Sequence, residues 1–202
     1  DLHLSLRRQR QMCIRDSLIS APQKGWSGPP CAALVMLSDR ANSLLGNTMS
    51  TSFACDLRKW REIMAAYEAG GHAYHATMPT DGLRAFRDVM TETAAYGCDR
   101  ARSEQQELGD RVRSLLAKNG FASVASDGYE APSVIVSYTD DPLIKSGARF
   151  AAEGLQVAAG VPLKCDEGVD FSTFRLGLFG LDKLQNQDQT VATIEAVIAK
   201  LR

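Results

Sequence analysis

A single lysine in a loop rich in glycine and proline is the side chain best placed to do chemistry. Lys24 lies in residues 20–31, between two apolar runs, and Gly25, Gly28 and Pro29 disfavour regular structure just after it. A lysine amine on such a loop can act as a nucleophile and form a Schiff base with an aldehyde. The alternative is an ordinary solvated loop lysine, which composition alone favours.

An arginine inside an apolar run is the second candidate. Arg175 lies in residues 171–179, which are otherwise largely apolar and predict a strand. A buried guanidinium is costly without an anionic partner, and its planar fork suits a carboxylate. The sequence therefore predicts either a receptor for a substrate carboxylate or a structural ion pair with Asp166, Glu167 or Asp170.

Hydroxyl side chains cluster in the loop before a predicted helix. Tyr74 and Thr77 precede a helix that Thr80 or Asp81 could cap. Hydroxyls and loop amides ahead of a helix suit a phosphate dianion, although the hydroxyls could also be incidental. His75 could assist, but a lone loop histidine is more often structural or solvated.

Three motifs carry a resemblance to a known family. The pattern S-x-x-Q-K-G-x-x-x-P-P from Ser20, followed by an apolar strand, resembles the cofactor-lysine segment of class V pyridoxal-phosphate (PLP) aminotransferases. Y-x-x-T at Tyr74 and R-L-G-L-F-G at Arg175 resemble two further motifs of that family. The resemblance runs from about Leu18 to the C-terminus and is nearest to the alanine–glyoxylate and serine–pyruvate (serine–glyoxylate) aminotransferases.

The resemblance implies a role for each candidate residue. Lys24 would bind pyridoxal 5′-phosphate covalently and shuttle the substrate proton, while Gln23 would lie near the cofactor phosphate or make a plain loop hydrogen bond. Tyr74 and Thr77 would reach the phosphate bound by the other subunit of a homodimer with shared active sites. Arg175 would clamp the substrate carboxylate. The implied reaction moves an amino group from alanine or serine to glyoxylate or a pyruvate-like 2-oxo acid.

Part of the implied site has no counterpart in this sequence. In the family, the aspartate that pairs with the pyridine nitrogen, the aromatic residue that stacks on the ring and the phosphate-binding turn all precede the cofactor lysine. Nothing before Leu18 offers them, which predicts a C-terminal fragment whose activity alone is doubtful. The alternatives are pyridoxamine–pyruvate transamination, a cysteine desulfurase, for which Cys165 is a poor candidate, and a non-catalytic fragment or dimerisation piece.

Composition narrows the class of protein. The 202 residues are 45% hydrophobic and 23% charged with a net charge of −1, which predicts a globular protein without affinity for nucleic acid or membrane. No apolar run is long enough to span a bilayer. The five scattered cysteines lack metal-ligand spacing, so we expect reduced thiols, no metal site and a cytoplasmic location.

The first 17 residues do not fit the pattern that follows. They are rich in arginine and lack periodicity, which would suit a disordered basic arm or a transit peptide. Residues 12–17 resemble one translated frame of a transposase-type sequencing adapter. We therefore expect residues 1–17 to be a non-native extension that makes few contacts.

The remaining chain predicts an α/β protein of fold type I. We assign residues 18–96 to the end of a large PLP-binding domain and residues 97–202 to a small C-terminal domain with a partly antiparallel sheet. The predicted strands are 18–21, 32–37, 133–138 and 171–179, and residues 157–162 are predicted to be a turn or a strand. We expect the first two strands to be buried and the first to be parallel. The predicted helices are 40–45, 56–68, 80–97, 99–118, 140–156 and 184–201. Ser38–Asp39 and Asp56 are the predicted N-cap residues of the first two.

Overall fold

The structure is a computed structural model that describes residues 16–201. Within these residues the strands are β1 (Ser17–Ser20), β2 (Leu34–Leu37), β3 (Val134–Tyr138), β4 (Ala158–Ala159) and β5 (Thr173–Gly177). The helices are α1 (Asp39–Leu45), α2 (Leu57–Glu68), α3 (Thr80–Tyr96), α4 (Cys98–Lys118), α5 (Pro142–Lys145), α6 (Ala148–Ala152), α7 (Leu181–Leu184) and α8 (Gln187–Lys200).

The described residues form two compact units. Unit 1 contains residues 16–23 and 28–87, and unit 2 contains residues 24–27 and 88–201. The boundary falls inside α3, between Arg87 and Asp88. The domain limits inferred from the sequence stay a prediction.

The two strands of unit 1 pair with each other in antiparallel fashion. Their register runs from Ser17 opposite Leu37 to Ser20 opposite Leu34. The prediction of a parallel first strand is wrong, because residues 21–33 between the strands contain a turn and no helix that would carry the chain back for parallel pairing. The predicted burial is also wrong, since Leu18, Ile19 and Met36 of this pair are exposed, Ile19 to 72%, and none of its apolar side chains is fully buried.

The N-termini of the first two helices carry the predicted caps. Ser38 Oγ accepts a hydrogen bond from the Ala41 amide, and the Asp56 carboxylate accepts from the amides of Arg58 and Lys59. Each side-chain oxygen thus satisfies amides that the first helical turn leaves without a partner.

Two residues of the predicted extension take part in unit 1. The Asp16 carboxylate accepts a hydrogen bond from Ser38 Oγ and forms an ion pair with Arg40, and Ser17 belongs to β1. At these two positions the prediction of an extension with few contacts is wrong. Residues 1–15 lie outside the described residues.

Unit 2 is built on an antiparallel sheet of three strands in the order β3-β5-β4. Arg175 of the central strand lies opposite Val136 on one side and Ala158 on the other. Helices α4, α7 and α8 contribute to the same hydrophobic core as the strands, and Phe174 in that core has ring contacts to Phe121 and Phe150. The core residues are Leu108, Val112, Leu115, Leu116, Ile135, Ile144, Phe150, Phe174, Leu176, Leu178, Leu184, Ile194, Val197, Ile198 and Leu201.

Several predicted elements of unit 2 are shorter than expected. The helix predicted over residues 140–156 is two helices, α5 and α6, because Gly147 between them adopts a left-handed conformation with φ of 82°. The strand predicted over residues 171–179 is limited to the five residues of β5. None of the helices within residues 16–201 combines the length and the apolar character that crossing a bilayer requires.

Candidate active site

A tight turn presents Lys24 between β1 and β2. The Ser27 amide donates a hydrogen bond to the Lys24 carbonyl over 2.9 Å, and the Gly28 amide donates to the Pro22 carbonyl over 2.8 Å. Gly28 is needed here, since a Cβ at this position would lie 2.9 Å from the Phe86 ring. The loop predicted from the glycines and prolines is therefore a defined turn.

The Lys24 side chain is accessible. Lys24 and Gln23 are both exposed, and neither side chain has a hydrogen bond or ion pair to any other residue of the described chain. The amine is thus available to a ligand. The described residues form no desolvated pocket around this amine, so any shielding of it must come from a ligand or from further protein.

The two predicted phosphate ligands lie side by side in unit 1. The Tyr74 hydroxyl and Thr77 Oγ1 are 3.4 Å apart, and both side chains are exposed. They precede the N-terminus of α3, where Thr80 begins the helix. Two hydroxyls beside helix amides form a set of donors suited to a phosphate.

The neighbouring histidine has a structural environment. The His75 ring lies between the rings of Phe53 and Trp60, and its Nε2 is 2.9 Å from the Phe53 carbonyl. Since the ring is already occupied by these contacts, the structural interpretation of His75 is favoured over a role in binding.

Arg175 projects from the face of β5 opposite the core. Its neighbours Phe174 and Leu176 are 0% and 4% exposed, and strand residues alternate between the two faces. Arg175 is itself only half-buried, and its Nε donates to the Ala159 carbonyl over 2.9 Å. The premise of a fully buried arginine is therefore wrong, because the strand is apolar on one face only.

No carboxylate neutralises this arginine within residues 16–201. The described ion pairs include none between Arg175 and Asp166, Glu167 or Asp170. The structural ion pair considered from the sequence is thus not formed by these residues. The Nε–H group of Arg175 is bonded to the Ala159 carbonyl, and its other N–H groups are available to an anion.

A strained loop follows the strand β4. Lys164 and Asp166 adopt positive φ angles of 60° and 66°, which residues other than glycine rarely do. The Glu167 carboxylate accepts hydrogen bonds from the amides of Cys165 and Lys164, and these bonds lower the pKa of Glu167 to about 2. This loop and Lys145 border an open cavity of about 290 Å³ whose other lining residues include Thr173 of β5.

The sequence did not single out the contact between the lysine turn and the end of the arginine strand. A Cβ at Gly180 would lie 2.9 Å from Ser27 Oγ, so this glycine lies against the turn that holds Lys24. Lys24 and Arg175 thus belong to the same compact unit. Gly180 is the last residue of the R-L-G-L-F-G motif. The motif is visible in the sequence, but nothing in it indicates a contact with the lysine turn.

No protein-family model matches the chain. A curated relative, alanine–glyoxylate aminotransferase of Oryctolagus cuniculus, is 21% identical over 188 residues, which cover 88% of this chain and 45% of the relative. The chain therefore spans about half the length of the curated relative that it matches.

Solved structures share the fold. Alanine–glyoxylate aminotransferase of Nostoc sp. matches with a TM-score of 0.72 and 19% identity over 91% of this chain and 48% of its own. Aspartate aminotransferase of Thermus thermophilus matches with a TM-score of 0.71 and 21% identity, over 93% of this chain and 50% of its own. Pyridoxamine–pyruvate aminotransferase of Mesorhizobium loti matches with a TM-score of 0.67 and 17% identity, over 93% of this chain and 52% of its own.

These matches confirm the predicted resemblance to aminotransferases of class V and the predicted fold class. The chain has the fold of part of a fold-type-I PLP-dependent transferase. Aminotransferases with different substrates in their names share this fold almost equally well.

The residues present fit part of a PLP site. An accessible amine suits the cofactor aldehyde, a hydroxyl pair before a helix suits its phosphate, and an open guanidinium suits a substrate carboxylate. No group of three or more potential metal ligands lies together within the described part of the chain.

Proposed function

We propose that this chain is the C-terminal part of a PLP-dependent aminotransferase that moves an amino group from alanine or serine to glyoxylate or a pyruvate-like 2-oxo acid. The observation that carries the proposal is the pairing of the accessible Lys24 turn with the open Arg175 in one unit of an aminotransferase fold. Lys24 supplies a nucleophilic amine, and Arg175 supplies a carboxylate receptor.

Lys24 does the chemistry in this proposal. Its amine would hold the cofactor through the aldehyde group, and as a free amine it would move the proton from the substrate Cα. The exposed amine on a tight turn suits both tasks, because it can swing without breaking a contact within the described residues. PLP, when bound, supplies the electron sink that makes that Cα proton acidic.

Tyr74, Thr77 and Gln23 hold the cofactor phosphate. The paired hydroxyls donate to phosphate oxygens, and the first amides of α3 add positive potential. By resemblance to the family, Tyr74 and Thr77 serve the site of the second subunit of a homodimer. The fold match to aminotransferases supports this assignment.

Arg175 holds the substrate α-carboxylate. The hydrogen bond from Nε to the Ala159 carbonyl fixes the guanidinium plane, so its remaining N–H groups face a ligand in a set orientation. A fixed fork binds a planar carboxylate through two parallel hydrogen bonds. Arg175 thereby orients the amino acid for proton removal at Cα.

We further propose a cytoplasmic enzyme. The cysteines Cys31, Cys55, Cys98 and Cys165 are free thiols, as a reducing compartment requires. The desulfurase alternative gains no support, because the amide of Cys165 is tied to the Glu167 carboxylate in a fixed turn, whereas that chemistry needs a mobile cysteine.

The role of Lys24 is tested by trapping PLP on the chain with borohydride and mapping the modified lysines by mass spectrometry. We expect preferential modification of Lys24 and its loss in Lys24→Ala. The control is Lys59→Ala, which removes a surface lysine paired with Glu62 and should leave the labelling unchanged. Preferential labelling of a lysine other than Lys24 would overturn the assignment.

The role of Arg175 is tested with Arg175→Lys in a preparation that has transaminase activity. The lysine keeps the charge and loses the fork, so kcat/KM for alanine and serine should fall by a factor corresponding to roughly 2–5 kcal/mol, while PLP binding persists. Arg111→Lys, at a surface ion pair with Asp188, is the control. Near-native kcat/KM in Arg175→Lys would show that the residue does not bind substrate.

A further inference from the structure

The turn that carries Lys24 contains a strained residue. Ser27 adopts φ of 53°, in the left-handed region that serine rarely enters, while its amide donates to the Lys24 carbonyl. Such a conformation persists only where its surroundings hold it.

Gly180 lies close to this strained serine. Gly180 is buried with φ of 110°, and a Cβ built on it would lie 2.9 Å from Ser27 Oγ and 2.3 Å from the Asp182 carboxylate. Only glycine combines this backbone conformation with this lack of space. Ser27 therefore occupies space that a side chain at position 180 would need.

Gly180 is joined to Arg175 by a short and well-anchored segment. Residues 176 and 178 are in the core, and the Leu178 amide donates to the Ser133 carbonyl over 2.8 Å. These contacts fix the backbone between Arg175 and Gly180, which lies five residues later in the chain. A displacement of the Ser27 contact would consequently change the position of the Lys24 turn relative to the arginine strand.

We propose that the Ser27–Gly180 contact is a seat that fixes the Lys24 turn against the end of the arginine strand, which makes Ser27 and Gly180 positioning residues for the lysine. This inference rests on the proposed function for the role of Lys24. The seat itself is a property of the chain that can be measured without the cofactor.

The first test is amide hydrogen exchange of the intact chain carrying Gly180→Ala. The new Cβ meets Ser27, so amides in residues 22–30 should exchange roughly tenfold faster or more. Gly97→Ala is the matched control, because Gly97 has a comparable backbone conformation, with φ of 101° and ψ of 119°, but a Cβ there would make only an ordinary contact of 3.7 Å with Arg100. Unchanged exchange of residues 22–30 in Gly180→Ala would overturn the seat.

The double variant Ser27→Gly with Gly180→Ala separates the seat from general strain. Glycine at position 27 tolerates positive φ and removes the Ser27 atoms that the new Cβ would meet, whereas the contact with the Asp182 carboxylate remains. We therefore expect exchange of residues 22–30 to return part of the way to that of the single variant Ser27→Gly. If Gly180→Ala accelerates exchange throughout unit 2 and the double variant does not reverse it for residues 22–30, the inference is wrong.

The second readout is the rate of PLP labelling at Lys24 relative to Lys200 in the same sample. Gly180→Ala should lower this ratio roughly tenfold, and the double variant should restore part of it. Equal ratios in the wild type and Gly180→Ala would overturn the positioning role. If the wild type shows no preference for Lys24, the proposed function of Lys24 fails, while the exchange experiment still decides on the seat.

Discussion

The two units differ in how they bury apolar side chains. Unit 2 has a continuous core in which Phe150 and Phe174 are completely buried. Of the hydrophobic side chains described in unit 1, only Pro22, Ile63 and Phe86 are buried. Many others are exposed: Leu18, Ile19, Met36, Leu44, Met49, Phe53, Met64, Tyr67 and Tyr74.

The difference shows which unit is self-sufficient. A core shared by a sheet and several helices is what an independent domain requires, and unit 2 has one. Unit 1 leaves apolar side chains of both strands and of α2 exposed. Exposed apolar surface of this kind is typical of a surface that other protein covers.

Amide hydrogen exchange should give the largest contrast between the units. Protection scales with the free energy of opening, so amides of the β1–β2 pair should exchange roughly a hundredfold faster, or more, than those of the β3–β5 pair after correction for intrinsic rates. The measurement is exchange with peptide-level mass spectrometry on the intact chain. Comparable protection in both strand pairs would mean that unit 1 is stabilised without a core.

Truncation of one phenylalanine in each unit gives the next largest effect. Phe174→Ala removes a fully buried ring that contacts two other rings, and should cost about 3–5 kcal/mol of unfolding free energy. Phe53→Ala is the matched change in unit 1, where the ring is 65% exposed, and should cost less than about 1 kcal/mol. Urea denaturation measures both. Similar losses would refute the contrast in packing.

The helix ends were predictable because their signals are local. Ser38 and Asp56 cap the helices that the sequence assigned to them, since a capping side chain needs only the amides of the next turn. The resemblance to aminotransferases was predictable for a similar reason, because its motifs are short and carry specific residues at fixed spacing.

What the sequence could not supply depends on distant residues. Apolar runs predict burial, but whether a layer exists to cover Leu18 and Ile19 is not a property of the run. The face on which Arg175 lies depends on the register of β5 with β3 and β4. The left-handed serine at position 27 is held by Gly180, more than a hundred residues later, and no local pattern predicts that contact.

A glycine pair tests backbone packing in the two units on a smaller scale. A Cβ at Gly109 of α4 would lie 2.6 Å from the Pro132 carbonyl oxygen. This overlap should lower the unfolding free energy of Gly109→Ala by about 1–3 kcal/mol. The higher helix propensity of alanine should offset up to about 1 kcal/mol of that loss. Gly46→Ala in unit 1 has φ of −61° and open space, and should change stability by less than about 0.5 kcal/mol. Thermal or urea unfolding compares them, and an equally neutral Gly109→Ala would show that Pro132 yields.

The smallest expected effect is a loss of unit 2 stability in acid that depends on Glu167. Its pKa is lowered from 4.5 to about 2 by the hydrogen bonds that the amides of Cys165 and Lys164 donate to its carboxylate. Because the pKa in the folded chain lies below that in the unfolded chain, Glu167 contributes its full stabilisation above pH 4.5. The contribution is lost as the pH falls from there towards about 2.

Glu167→Gln removes this dependence, since the amide accepts hydrogen bonds but does not titrate in that range. Between about pH 6 and pH 3 the urea midpoint of the wild type should therefore fall further than that of the variant. Glu107→Gln, at an exposed position on α4, is the control and should follow the wild type. The effect is expected to be small because the loop borders solvent, and parallel curves for wild type and Glu167→Gln would show that the two amide hydrogen bonds do not persist in solution.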